Sequence, residues 1–167
     1  MSYVHHTILL VDADQDMAHF AMLALQRVGV ISPVQLAGNA RDAMAYLSGQ
    51  APYADRDSFP LPVLLLLDLE LPDLSGLDFL SWVREQPGLG RLPVIVLTRP
   101  GKSADVNRAY ELGCNSYLVK PTSFNTLLVM MQTLVQYWLS LNTSPEICFG
   151  PEPPHPDPTC EAKWETR

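Results

Sequence analysis

Asp12, Asp14, Asp68, Glu70, Thr98 and Lys120 are the residues of this chain whose types and positions could do chemistry together. Four of them close short apolar runs: Thr7 to Val11 precedes Asp12, Val63 to Leu67 precedes Asp68, Val94 to Leu97 precedes Thr98, and Ser116 to Val119 precedes Lys120. Carboxylates gathered with an ammonium and a hydroxyl can seat a hard cation beside a phosphoryl group. The cation takes oxygen ligands, the ammonium offsets charge on the phosphoryl oxygens, and the hydroxyl donates one more hydrogen bond. Asp68 ends the most continuous apolar run and would lie centrally. A carboxylate there can attack phosphorus and become an acyl phosphate.

That chemistry requires the four runs to be neighbouring strands with their carboxyl ends together. The uninterrupted run VLLLL, followed at once by Asp68, Pro72 and Gly76, fits a strand buried on both faces, the condition of a central strand in a parallel sheet. Helical patterns lie between the runs. Met17, Phe20, Ala21, Ala24, Leu25 and Val28 recur at helical spacing before Gly29. Asn39 can cap a helix carrying Ala40, Ala43, Met44 and Leu47 that Gly49 closes, after a second short strand from Val34 to Ala37. A turn-rich connection, Gln50 to Pro62, leads to the central strand, and further helices are expected from about Leu77 to Glu85, from Lys102 or Ser103 to Leu112, and from Ser123 to about Leu141. Five strands alternating with five helices describe an α/β fold, a doubly wound five-stranded parallel sheet, whose ligand crevice lies beyond the carboxyl ends of the strands.

The bulk properties agree with a globular chain: 47% of residues are hydrophobic, 17% are charged, and the net charge is −7. That acidity, with no basic cluster, speaks against a nucleic-acid surface. No apolar run approaches a membrane span, and the N-terminus has no basic region before a cleavage signal, so a cytoplasmic location is expected. Cys114, Cys148 and Cys160 have neither disulfide-framework nor zinc spacing, and His5, His6, His19 and His155 suggest no metal site.

From Thr7 to Leu141 the chain resembles the receiver domain of bacterial response regulators. The resemblance rests on LLLLDLELP at the third strand, PVIVLT at the fourth and YLVKP at the fifth, in that order and spacing. The long connection after the second helix, RAYELGCNSYLVKP and the ending QYWLSL are similar to the single-domain regulators paired with bacterial phytochromes. The resemblance implies a flavodoxin-like receiver fold and a phosphoacceptor at Asp68. It implies Mg2+ held by Asp12, Asp68 and the backbone carbonyl of Glu70, with Asp14 a further candidate. Thr98 would be the switch hydroxyl, Tyr117 the switch aromatic and Lys120 the lysine that holds the phosphoryl group. The implied partner is a sensor histidine kinase or phosphotransfer protein. Such a chain is a signalling phosphoacceptor rather than an enzyme.

Two positions depart from the family pattern. Ala13 stands where the second of two adjacent acidic residues supplies a direct metal ligand. Arg99 follows Thr98 where a small residue usually leaves room for the phosphoryl group, and its guanidinium could pair with Asp68 or Glu70 or swing out toward an incoming phosphate. These departures keep a second reading open, a degenerate receiver that binds partners without phosphorylation. A haloacid-dehalogenase-type phosphatase would need a second Asp where Glu70 stands and a later acidic pair. A flavin site would need a Gly, Ser and Thr loop after the first strand.

The last helix, PTSFNTLLVMMQTLVQYWLSL, carries no charged side chain. Phe124, Leu127, Leu128, Met131, Leu134, Val135 and Trp138 can face the sheet, which leaves Val129, Met130, Tyr137 and Leu141 for a homodimer interface. Residues 1–141 are expected to form the receiver unit. Residues 142–167, with GPEPPHPDP, form a Pro-rich tail expected to be disordered or to act as a strap.

Overall fold

The structure, a computed structural model, describes residues 7–31 and 33–150. His5, His6, His155, Cys160 and the Pro-rich part of the tail lie outside them. The strands are β1 (Ile8–Val11), β2 (Val34–Ala37), β3 (Leu64–Leu67), β4 (Val94–Thr98) and β5 (Ser116–Val119). Between and after them run α1 (Gln15–Arg27), α2 (Ala40–Ser48), α3 (Gly76–Glu85), α4 (Ser103–Glu111) and α5 (Phe124–Val135). The sheet has the order β2-β1-β3-β4-β5 and every pair is parallel. This is the fold the alternation of runs implies, with β3 between β1 and β4.

Alternation along the three inner strands builds two cores. Leu9, Val11, Leu65, Leu67, Val94 and Val96 face α2, α3 and α4, where Tyr46, Phe79, Leu80 and Val83 are buried against them. Ile8, Leu10, Leu64, Leu66, Ile95 and Leu97 face the other way, onto Ala18, Ala21, Ala24 and Leu25 of α1 and Leu127, Met131 and Leu134 of α5. The five apolar residues that read as one unbroken run are thus divided between two cores, because successive side chains of a strand point to opposite faces.

Helix ends follow the local chemistry. The side chains of Asp14, Asn39, Ser75 and Ser123 accept hydrogen bonds from first-turn N–H groups of α1, α2, α3 and α5. Gly49, left-handed at φ 69°, ends α2. The long connection after α2 is tied down from within. Arg56 donates to the carbonyls of Tyr46 and Leu47 at the end of α2, at 2.8 and 2.7 Å, and Tyr53 and Phe59 pack edge-on against the Tyr46 ring.

The last helix departs from the expected single α-helix. It is α-helical to Val135 and continues as a π-helical turn over Gln136–Leu141, closed by a 2.7 Å hydrogen bond from the Asn142 N–H to the Tyr137 carbonyl. All seven residues assigned to the sheet side belong to the second core or pack against it. Of the four assigned outward, Val129, Tyr137 and Leu141 are exposed, whereas Met130 is half-buried against that core. The chain after Leu141 crosses to the opposite core. Ile147 packs there, and the Cys148 N–H reaches the Gly88 carbonyl at 3.3 Å in the loop before β4.

Candidate functional site

Three ladders bring the chemistry to one edge. Val11 pairs with Leu67, Leu67 with Val96, and Thr98 with Val119, so the residues that follow or end these strands emerge side by side. The Asp68 N–H donates to the Val11 carbonyl at 2.8 Å and the Lys120 N–H to the Thr98 carbonyl at 2.8 Å, which carries the sheet bonding up to the site. Gly76, the first residue of α3, closes on the same turn. Its N–H donates to the Leu69 carbonyl at 3.0 Å, and a Cβ there would lie 2.5 Å from the Asp68 carbonyl oxygen. Only glycine permits this approach, which fixes the backbone behind Asp68.

Asp68 is 4% exposed and accepts at both oxygens. Thr98 Oγ1 donates to Oδ1 at 2.7 Å, and Lys120 Nζ donates to Oδ2 at 2.7 Å. The same Nζ lies 2.7 Å from Asp12 Oδ2, so one buried ammonium bridges two buried carboxylates. A single cation neutralises only one of them. Burial pushes the Asp12 carboxyl above its usual range, and its bond to Lys120 works in the opposite direction.

Tyr117 is half-buried with its hydroxyl turned inward. A Cβ on Gly101 would lie 3.2 Å from that oxygen, which finds no hydrogen-bond partner among the described residues. Burial, followed by the charges of Asp105 and Asp68, pushes the phenol above its ordinary value.

Asp14 and Arg99 meet at the mouth of the site. Asp14 caps α1, with Oδ1 accepting from the N–H groups of Asp16 and Met17 at 3.1 Å each. Its Oδ2 accepts from Arg99 Nη2 at 3.0 Å, while Arg99 Nη1 stands 3.7 Å from Glu70 Oε2. The guanidinium therefore pairs with Glu70 and Asp14 rather than with Asp68. The Met17 N–H, with Arg99 adding to it, holds the Asp14 carboxyl below the usual carboxylate range.

The donor set lacks the carboxylate that the resemblance places at position 13. A cation of the magnesium type takes six oxygens, several of them water, with one or two carboxylates and a substrate phosphate among the rest. Ala13 offers a methyl group, and both Asp14 oxygens are committed to α1 and Arg99. Asp12 Oδ2 is held by Lys120 and its Oδ1 accepts from the Asp14 N–H at 2.9 Å. Among the described residues no three His, Cys, Asp or Glu side chains are grouped as a metal centre needs.

Sequence reasoning named Asp12, Asp68, Thr98 and Lys120, and the structure brings these four together. It did not anticipate the Asp14–Arg99 pair, whose members are 85 positions apart. It also missed Asp73, whose carboxylate accepts from the N–H groups of Ala40 and Arg41 at 3.0 and 2.9 Å and holds the start of α2 to the loop after β3. Gly76 carried a signal only as a turn residue.

Five parallel strands in one sheet flanked by five helices, with Asp68, Thr98 and Lys120 gathered at the carboxyl edge, define an α/β domain of the flavodoxin-like receiver type. Residues 8–132 match the family model of the response regulator receiver domain, and the chain belongs to that family. It is 35% identical over 138 residues to a probable methanogenesis regulatory protein, FilR2, of Methanothrix harundinacea, covering 83% of this chain and 86% of that one. It is 40% identical over 103 residues to the response regulator Rcp1 of Synechocystis, covering 62% of this chain and 68% of Rcp1. The phosphorylated cyanobacterial phytochrome response regulator RcpA superposes with a TM-score of 0.79 at 31% identity, covering 86% of this chain and 100% of that one. The likeness to phytochrome-associated regulators read from the sequence is thus present in sequence and in structure. Receiver domains hold Mg2+ or Mn2+ at their acidic site, and the Mn2+-bound form of Rcp1 is similar to this chain, with a TM-score of 0.75 at 33% identity over 84% of this chain and 99% of Rcp1.

Proposed function

We propose that this chain is a single-domain response regulator that accepts a phosphoryl group on Asp68 from a partner histidine kinase or phosphotransfer protein. The observation that carries this reading is the bonding of the buried Asp68 carboxylate, with Thr98 on one oxygen and Lys120 on the other, each at 2.7 Å. In the transfer, an Asp68 oxygen attacks phosphorus. The new O–P bond forms as the bond from phosphorus to the donor nitrogen breaks, and the donor imidazole keeps the electron pair and takes up a proton. Lys120 then faces added negative charge and holds a phosphoryl oxygen, and the Thr98 hydroxyl turns from Asp68 to another. That turn draws the loop after β4 inward and gives the Tyr117 ring a second position, so that phosphorylation biases the surface around α4, β5 and α5. Magnesium is the cation this family uses in the transfer, and the donor set here is short of the carboxylate at position 13.

Output through protein contacts is supported by α5. An apolar groove of about 460 Å3, lined by Leu118, Val129, Met130 and Tyr137 among others, lies on the side of α5 near the edge strand β5. The proposed occupant is a second copy of the chain in a two-fold dimer. Neither nucleic-acid binding nor membrane insertion forms part of this reading, and the proposed location is the cytoplasm. No helix among the described residues is long and apolar enough to cross a membrane.

The commitment of Asp14 to capping and to Arg99 favours one alternative, a receiver that binds its partner without phosphorylation. Incubation with acetyl phosphate followed by intact mass separates the two. Gain of one phosphoryl group by the wild type and none by Asp68→Asn supports the phosphoacceptor. No gain under any ionic condition supports the binding module.

A further inference from the structure

We propose that the Arg99 guanidinium takes the place of a divalent cation, so that Asp68 accepts its phosphoryl group without metal. The inference rests on the phosphoacceptor reading above and concerns how that site is charged.

The position of the guanidinium is the first support. Any cation shared by Asp12 and Asp68 would tie the loop after β1 to the loop after β3. Arg99 ties those same loops, at 3.0 Å to Asp14, two residues beyond Asp12, and at 3.7 Å to Glu70, two residues beyond Asp68. Its side chain is 59% exposed, so it is open to a phosphoryl donor arriving from solvent. Among the described contacts only Nη2 donates a hydrogen bond, and a guanidinium has five N–H donors in a planar fork suited to phosphate oxygens.

Charge is the second support. Asp12, Asp14, Asp68 and Glu70 stand against Lys120 and Arg99, and Lys120 is already shared between two buried carboxylates. Without Arg99, an incoming phosphoryl dianion would meet a site with one further uncompensated negative charge. An Asp at position 13 together with an Ala at position 99 would make the site more negative by two charges, the charge of one divalent cation. The two departures of this sequence, Ala13 and Arg99, therefore shift the site's charge as binding such a cation would.

The chemistry is unchanged in its balance. With acetyl phosphate as donor, an Asp68 oxygen attacks phosphorus, the O–P bond to acetate breaks, and acetate leaves with the electron pair. Arg99 hydrogen-bonds the equatorial oxygens as charge accumulates on them.

The test is the rate of labelling by acetyl phosphate, read by intact mass on the full chain in excess EDTA and in millimolar magnesium. The wild type is expected to label in EDTA within about threefold of its rate in magnesium. Arg99→Ala is expected to lose about tenfold or more in EDTA, with Arg99→Lys between the two. The Ala13→Asp/Arg99→Ala double variant is expected to label in magnesium and not in EDTA. Wild type labelled only with magnesium, or Arg99→Ala labelled in EDTA as fast as wild type, overturns the role of Arg99 and leaves Asp68 as phosphoacceptor. Absence of labelling in every condition overturns the phosphoacceptor reading itself, and this proposal with it.

Discussion

Arg99 Nη2 lies 3.0 Å from Asp14 Oδ2, joining the loop after β4 to the N-cap of α1 across the mouth of the acidic site. The contact gives the loop that follows Thr98 a fixed electrostatic partner at rest, one that an arriving phosphoryl group would compete for.

This pair sets an acid-side dependence. The native Asp14 pKa lies below its ordinary value, so the stability Asp14 contributes is fully present above the unfolded value of 3.8 and is lost as pH falls through the depressed native value. Arg99→Ala removes one of the causes and leaves the Met17 N–H in place. The Asp14 carboxyl resonance, followed by NMR, should titrate at higher pH in the variant, while the urea midpoint at neutral pH hardly moves, as for other exposed ion pairs. An unchanged Asp14 titration would show that the pair is not formed in solution.

Lys120 is expected to behave in the opposite sense. Lys120→Ala leaves Asp12 and Asp68 buried and facing each other without their shared cation. The cost should be about 3–5 kcal/mol at neutral pH by urea unfolding. The Asp12 carboxyl is already raised by burial, and losing Lys120 raises it further. A group whose acid form is favoured in the native state recovers stability as pH falls through its native pKa, so the deficit of the variant should shrink as pH falls from neutral through the raised Asp12 value toward the ordinary 3.8. A deficit that grows on acidification would contradict the bridged arrangement.

Asp73→Ala tests the link between the loop after β3 and α2. Its carboxylate holds the N–H groups of Ala40 and Arg41, and its loss should cost about 1 kcal/mol in urea unfolding, the usual scale for removing a helix-end acceptor. Although burial opposes the shift, the N–H groups of Arg41 and Ala40 hold this carboxyl below its ordinary range. The difference between wild type and variant should therefore vanish as pH falls below the native value of Asp73.

Leu141→Glu tests the proposed dimer. Leu141 is 71% exposed in the monomer and Tyr137 and Val129 lie exposed on the same terminal helix, so sedimentation of the wild type should show a dimer at micromolar concentration and the variant a monomer. Monomer for both would remove α5 as a self-association surface.

The strands were legible because continuous apolar runs ending in Asp12, Asp68, Thr98 and Lys120 leave few arrangements other than a parallel sheet with its polar ends together. Asn39, Gly49 and Ser123 announced helix ends through local chemistry that needs no tertiary context. The Arg99–Asp14 pair was hidden because a long cation can reach any of several carboxylates, and only the fold decides which. Asp73 carried no local signal, because its carboxylate serves the start of a helix 33 positions earlier in the chain. The π-helical end of α5 has no period that Gln136 to Leu141 could display over so few residues. Ile147 and Cys148 sit in a stretch too polar and Pro-flanked to announce packing against the loop at Gly88.

Identifying the modified residue itself tests Asp68 as the phosphoacceptor without intermediaries. Acyl phosphates are reduced by borohydride to alcohols, so an aspartyl phosphate becomes homoserine and can be placed by peptide mass mapping. After phosphorylation by acetyl phosphate and reduction, homoserine is expected at position 68, with Asp12 and Asp14 unmodified. Homoserine at another aspartate, or at none while the intact mass shows a phosphoryl group, would contradict Asp68 as the phosphoacceptor.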